Sequence, residues 1–312
     1  MNAAGKKRTP FLFGINFELT EGFFIPYPQQ QQEILFNING TGNTNTTNQT
    51  APEFSFHPHP ISLEDYKTKF DIAMEDLSTC KINLINLTIK TPVTTSLSLK
   101  EIFKYSKAKY KLYIPNKLVC FSPEIFIRTE KGKIYSYPMK GTINANIPDA
   151  ESIITNSQKE IDEHTTAVRL IHQDLSKFAT NITTKRFRYI DTINNHKGKL
   201  LQVSSEVEGT LPHNFNENIG THILSLLPAG SIAGNPREAS LNTIRNAEEQ
   251  PRGYYTGIAG IFDGEEIDCG VLIRYIEQED NNLFFRSGGG VTINSNHLSE
   301  YKEVIEKIYL PI

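Results

Sequence analysis

Cysteine is scarce in this 312-residue chain, and its three copies, Cys80, Cys120 and Cys269, lie far apart with no C-x-x-C pair among them. That excludes a disulfide scaffold and a zinc ribbon and points to a reducing compartment, the cytoplasm. Long apolar runs are missing as well: nowhere do eighteen apolar residues follow one another, and the polar, basic residues 1–10 lead into no export-length apolar segment. Neither a membrane protein nor a secreted one is expected. Charge of one sign is not in excess. The formal net charge is -3 and the pI is near 6.3, so nothing draws the chain as a whole to nucleic acid or anionic lipid. Lys6-Lys7-Arg8 reads as a solvated tail. No period of 20–50 residues repeats, which excludes a solenoid or propeller. Small-molecule chemistry is the class left standing.

Extended segments at residues 11–17, 22–27 and 33–38, separated by turn residues, predict a meandering antiparallel sheet. Residues 29–32 and 37–50 are polar and of low complexity, and the sequons at Asn39, Asn45 and Asn48 are chance matches within an Asn/Thr-rich stretch. Ser62-Leu63-Glu64-Asp65 resembles a capping box, with Tyr66, Phe70, Ala73 and Leu77 following at helical spacing. Strands are predicted at 82–90, 110–114, 118–122 and 125–128, then a hairpin through Glu130-Lys131-Gly132-Lys133. One long helix is expected over 150–179, because Ile161, His164, Val168, Ile171 and Leu175 share a stripe. Strands at 186–192 and 200–206 precede a Gly/Pro-rich loop at 228–237 and a helix over 237–249. Strands at 254–262, 266–276 and 283–287 follow, with Ser287-Gly288-Gly289-Gly290 as an interruption, and a helix over 298–310 closes the chain. At about 100° per residue that helix gathers Glu300, Glu303 and Lys307 on one side.

Several constellations carry possible chemistry. Lys140 is bracketed by Pro138 and Gly141 in what reads as a tight turn, either as a solvated charge or as an amine nucleophile. Glu124 lies at the far end of the same predicted hairpin, so antiparallel pairing can bring the two together. Such a pair suits nucleophilic chemistry with acid assistance; the plain alternative is a surface ion pair. Glu160 and Glu163 on one helix edge and Glu300 and Glu303 on another are either solvated faces or four carboxylates for a hard cation such as magnesium. Arg274, inside the apolar run Val271-Leu272-Ile273-Arg274-Tyr275, needs a partner: a ligand carboxylate or an internal acid. The glycine-rich stretches at 230–237 and 287–290 match neither nucleotide-binding pattern.

Taken together and in order, Pro138-Met139-Lys140-Gly141-Thr142, Asp162-Glu163-His164, Gly230-Ser231-Ile232-Ala233-Gly234-Asn235-Pro236, Tyr255-Thr256-Gly257, Ile273-Arg274, Ser287-Gly288-Gly289-Gly290 and Glu300-Tyr301-Lys302-Glu303 resemble the chorismate-binding enzymes. Within them, the aminodeoxychorismate synthase component I family is the match, over residues 61–310. The resemblance implies an α/β (α+β) fold of large, mostly antiparallel sheets packed as a sandwich and flanked by helices. Residues 61–312 would be the catalytic domain, with the strand-rich residues 1–60 belonging to the same fold. It implies amination of chorismate to 4-amino-4-deoxychorismate, feeding p-aminobenzoate and folate synthesis. Lys140 would be the nucleophile adding at C2 as the C4 hydroxyl leaves, and Glu124 the general acid and base. Glu160, Glu163, Glu300 and Glu303 would hold Mg2+. Thr142, Tyr255, Arg274, Gly288, Gly290 and Lys307 would bind substrate.

Departures from the family pattern refine this expectation. Leu84 stands where isochorismate-forming relatives carry a lysine base, which argues against water activation. Gln202 replaces a histidine, and Arg237 a lysine. Much of the N-terminal region of longer members is missing, so no tryptophan feedback site is expected. No cysteine sits in a G-x-C-x-G elbow. Ammonia is therefore expected from solution or from a separate glutamine amidotransferase subunit, and without an appended lyase the product would leave as aminodeoxychorismate. Anthranilate synthase component I and a non-catalytic chorismate-binding subunit are the competing readings.

Overall fold

The computed structural model describes residues 1–44, 50–195 and 198–312. The sequons at Asn45 and Asn48 lie outside the described residues. In the first half of the chain the strands are β1 (Phe11–Ile15), β2 (Gly22–Pro26), β3 (Leu35–Ile38), β4 (Thr41–Gly42), β5 (Phe56–Pro58), β6 (Leu84–Thr95), β7 (Tyr110–Ile114), β8 (Leu118–Ser122), β9 (Ile125–Glu130), β10 (Lys133–Ser136) and β11 (Met139–Asn144). The second half adds β12 (Thr180–Asn195), β13 (Gly198–Thr210), β14 (Gly234–Asn235), β15 (Ile258–Phe262), β16 (Ile267–Val271), β17 (Tyr275–Glu279) and β18 (Asn282–Val291). Helices are α1 (Asn2–Lys6), α2 (Leu63–Ser78), α3 (Leu99–Tyr105), α4 (Ala150–Asn156), α5 (Gln158–Leu175), α6 (Ile219–Ser225), α7 (Gly230–Ala233), α8 (Arg237–Glu248) and α9 (His297–Glu306).

Two nine-stranded sheets result. The first runs β11-β13-β10-β9-β16-β15-β1-β2, with β12 also on β13; the second runs β14-β6-β18-β17-β8-β7-β3-β4, with β5 on β6. Their ladders are antiparallel. Between the sheets, Leu12 and Ile261 of one meet Phe36, Tyr110, Leu112 and Cys120 of the other. Outer faces are covered by helices: Val168 and Leu175 of α5 and Ile219 and Ile223 of α6 pack on the first sheet, and Tyr66, Phe70, Ile244 and Val304 of α2, α8 and α9 on the second. The expected α/β sandwich of antiparallel sheets flanked by helices is the fold observed.

Several expectations are corrected. The N-terminal strands are not one meander: β1 and β2 join the first sheet, whereas β3 pairs with β7 in the second. Residues 2–6 form α1, with Gly5 buried, so Lys6, Lys7 and Arg8 are exposed charges beside a docked helix, not a free tail. Ser62 caps α2 by accepting from Asp65 N–H at 3.0 Å, but the reciprocal capping box is at Ser98 and Glu101, where α3 begins. The long helix is two, because Ser157 adopts ψ 114°, ending α4 and capping α5 with its hydroxyl. Residues 230–233 are helical and not loop. The strand expected over 266–276 is broken between β16 and β17, which belong to different sheets. Ser287-Gly288-Gly289-Gly290 does not interrupt a strand: β18 runs through it, paired to β6 at every residue.

Candidate active site

Two passages between the sheets build the floor of the site. β8 ends in the second sheet at Ser122 and β9 begins in the first at Ile125, so Pro123 and Glu124 form one passage; Leu272, Ile273 and Arg274 form the return. Each passage is bonded to the strand that the other one leaves, since the Glu124 carbonyl accepts from Val271 N–H of β16 at 3.1 Å and the Arg274 carbonyl from Phe121 N–H of β8 at 2.9 Å. Arg274 therefore lies outside any strand, contrary to its apolar context, in a left-handed conformation with φ 52°. Such backbone strain persists only where neighbouring structure enforces it. Its Nε donates to Tyr309 Oη at 3.4 Å, and its guanidinium stands 5.3 Å from that ring. Beside it Tyr255, in the turn before β15 instead of within the predicted strand, is 3% exposed and packs 5.8 Å from Tyr275. Burial pushes its phenol well above the usual range, against the pull of Arg252 and Arg274.

Lys140 is on β11 and not on a tight turn. Met139 pairs with Ser204 and Thr142 with Gln202, so Lys140 and Gly141 oppose the single residue Val203 and form a bulge. Gly141 takes φ 84°, a conformation that favours glycine, and a β-carbon there would stand 2.5 Å from Glu160 Oε2. The bulge aims the lysine at β18. A methyl group on Gly290 would stand 3.5 Å from Lys140 Nζ, 3.1 Å from Glu163 Oε2 and 3.6 Å from Leu84 Cδ1. Amine, carboxylate and an apolar wall thus converge on a bare α-carbon.

Glu124 completes this group. Desolvation raises its carboxyl above the ordinary carboxylate range, and the charges of Lys140, Arg274 and Lys307, in that order, draw it back. Lys307, at the end of α9, donates to the Gly288 carbonyl at 2.9 Å and to Glu303 Oε1 at 2.7 Å. A β-carbon on Gly289 would meet Glu300 Oε2 at 3.5 Å and Glu303 Oε1 at 3.8 Å. The glycine run is thus where α5, α9 and β11 approach one strand closely.

The four acidic residues are placed unequally. Glu163 (7% exposed) and Glu300 (fully buried) are inside the protein, where sequence reasoning allowed for solvated helix edges. Glu160 is at the Gly141 bulge and Glu303 is bonded to Lys307. Among the described residues no three carboxylate, His or Cys side chains are close enough to hold a metal ion by themselves. The donor type nevertheless suits magnesium, which takes few protein oxygens and completes its shell with water and substrate oxygens. Thr142 is exposed, and its hydroxyl donates to Gln202 Oε1 at 3.0 Å.

Sequence reasoning passed over the supports of this site. His164, fully buried, holds Ser205 Oγ through Nε2 at 2.6 Å, and that hydroxyl accepts Arg188 N–H at 2.9 Å. Desolvation, then the charge of Arg188, lowers His164 to about 4, against a smaller pull from the Lys140 backbone. The imidazole is therefore neutral at physiological pH. Arg188 also donates to the carbonyls of Ile154 and Thr155, each at 3.0 Å, which ties down α4 over the bulge. These contacts join residues distant in sequence, and only the strand register reveals them.

Residues 26–311 match the family model described as chorismate binding enzyme. A Haemophilus influenzae protein named an uncharacterized PabA-like protein is 46% identical over all of this chain and 95% of its own length. Aminodeoxychorismate synthase component 1 of Bacillus subtilis is 26% identical over 80% of this chain and 55% of its own length. Among solved structures, a Bacillus anthracis protein described as a 2,3-dihydroxybenzoate-specific isochorismate synthase superposes with a TM-score of 0.74 at 19% identity, over 98% of this chain and 84% of that one.

Proposed function

Because the chain belongs to the chorismate-binding enzyme family, we propose that it catalyses the aminodeoxychorismate synthase reaction, joining chorismate and ammonia to give 4-amino-4-deoxychorismate for p-aminobenzoate and folate synthesis. The observation that carries this reading is the placement of Lys140 Nζ against Gly290, with Glu163 and Leu84 around it and Glu124 within reach of its charge. In the proposed sequence the uncharged Lys140 amine forms a bond to C2, the ring double bonds shift, and the C4–O bond breaks. Glu124 gives the departing hydroxyl its proton, so water leaves. Ammonia then bonds to C4, the double bonds shift back, and the C2–N bond to Lys140 breaks. Arg274, Tyr255 and Lys307, with the backbone near Gly288 and Gly290, are the groups for the substrate carboxylates, and Thr142, on β11 two residues after Lys140, is a further substrate-binding group. Glu160, Glu163, Glu300 and Glu303 would hold magnesium, which when bound supplies positive charge for the ring carboxylate. Leu84 supplies no base and leaves an apolar wall, which disfavours water as the competing nucleophile.

The proposal includes a separate glutamine amidotransferase subunit as the ammonia source. Purified protein with chorismate, magnesium and ammonium should form aminodeoxychorismate without pyruvate, whereas glutamine should serve only when the partner subunit is added. Fluorescent anthranilate appearing without an added lyase would instead identify an anthranilate synthase.

A further inference from the structure

We propose that Gln202 is the positioning residue that fixes the Lys140 bulge. A bulge removes ladder bonds where its extra residue sits, so its backbone needs other partners. Gln202, on β13 opposite Thr142, supplies them with one amide. Its Nε2 donates to the Gly141 carbonyl at 2.9 Å, and its Oε1 accepts the Thr142 hydroxyl at 3.0 Å. A weaker contact from the same Nε2 reaches the Val203 carbonyl at 3.3 Å. The residue next to Lys140 and the one after it are therefore both held by one planar group.

The side chain that does this must donate and accept within one planar group, at the reach of a long residue. Glutamine meets that demand; ionised glutamate lacks the donor, and methionine has no donor and only a weak acceptor. The consequence travels along a short path. Gly141 at φ 84° is the pivot of the bulge, so freeing its carbonyl lets the Gly141–Thr142 peptide turn about the glycine and shifts the adjoining Lys140 Cα. The amine then leaves its place beside Gly290. A displacement of about 1 Å in a reacting group is enough to cost on the order of a hundredfold in rate. Gln202 acts on the reaction only through Lys140, and its kinetic consequence rests on the reading above, while the geometric one does not.

The test compares Gln202→Met and Gln202→Glu, the second keeping the shape and the acceptor while losing the donor, with Thr142→Val, which loses only the hydroxyl. In amination of chorismate with ammonium, both Gln202 variants should lose about tenfold or more in kcat with KM for chorismate within about twofold. Thr142→Val should lose less in kcat, and the kcat of Gln202→Met with Thr142→Val should be no lower than that of Gln202→Met alone, as expected of one coupled unit. An arm independent of turnover measures the rate at which trace acetic anhydride labels Lys140, read by peptide mass spectrometry against the other lysines. In either folded Gln202 variant the Lys140 rate should change about threefold or more while the other lysines keep theirs. Unchanged Lys140 labelling in a folded Gln202 variant overturns the proposal, as does a lower melting temperature with unaltered kcat and labelling. If wild-type protein fails to aminate chorismate, the functional reading falls and the labelling arm still decides the clamp.

Discussion

Glu124 shows how one side chain is set for its task by where the backbone changes sheets. The passage between β8 and β9 half-buries this residue, and the desolvation makes its carboxyl keep a proton to higher pH than a surface glutamate, while three cations limit the rise. In its proposed role as general acid it must be protonated, so kcat should fall as pH rises through its raised pKa. Glu124→Gln should lose about a hundredfold in kcat and also lose that descending limb, measured in a kcat profile against pH. A limb that persists in the variant would assign the acid elsewhere. A second residue reports on stability alone. Lys111 is 7% exposed, donates to the carbonyls of Phe103 and Ser106 at 2.7 and 3.0 Å, and is lowered by burial to about 8. The unfolded chain keeps this lysine protonated up to its ordinary pKa of 10.5. Between about pH 8 and 10.5 the unfolded state thus holds more protons, and stability rises with pH. Relative to Lys111→Met, the wild type should gain up to about 1 kcal/mol per pH unit in that window by urea unfolding. Equal pH dependence of the two proteins would contradict this. Residue identity made Lys140 and Glu124 visible in the sequence. Gln202 was visible only as a substitution, because its two bonds depend on a register that one extra residue changes.

Helices and strands were legible where one period persisted, and the boundaries failed where the site imposed its own geometry. The stripe over 150–179 is helical as far as Leu175, yet Ser157 divides it, and that break puts Glu160 in the first turn of α5 against Gly141. Glycines at 288–290 read as an interruption because glycine weakens strands. Here they are strand residues whose missing side chains admit Glu163, Lys140, Glu300 and Glu303. The short helix α4 is a dependent element, since Arg188 satisfies two of its last carbonyls from β12. Arg188→Met should speed amide hydrogen exchange in residues 150–156 by tenfold or more, leaving α2 and α8 unchanged, and should lower kcat by loosening the cover over Gly141. Unchanged exchange in that segment would show that α4 is held by its apolar contacts alone.

Across the whole molecule, the two sheets are joined by short passages between strands of one and strands of the other, and the site lies where those crossings meet the glycine run of β18. Alternation of apolar residues revealed that strands exist, and the ordered motifs revealed the sandwich. It could not reveal which sheet a strand belongs to, because a passage such as Pro123-Glu124 or Leu272-Ile273-Arg274 has the same apolar pattern as a continuous strand. Lys140, Glu124, Arg274 and Lys307 come together through that architecture and not through sequence proximity. The central claim is covalent participation of Lys140, and trapping the intermediate tests it most directly. Protein incubated with chorismate and magnesium but no ammonia, then digested and analysed by mass spectrometry, should carry chorismate minus one water on the Lys140 peptide, and the adduct should disappear when ammonium is added. Absence of any adduct, together with undiminished amination by Lys140→Ala, would contradict the account.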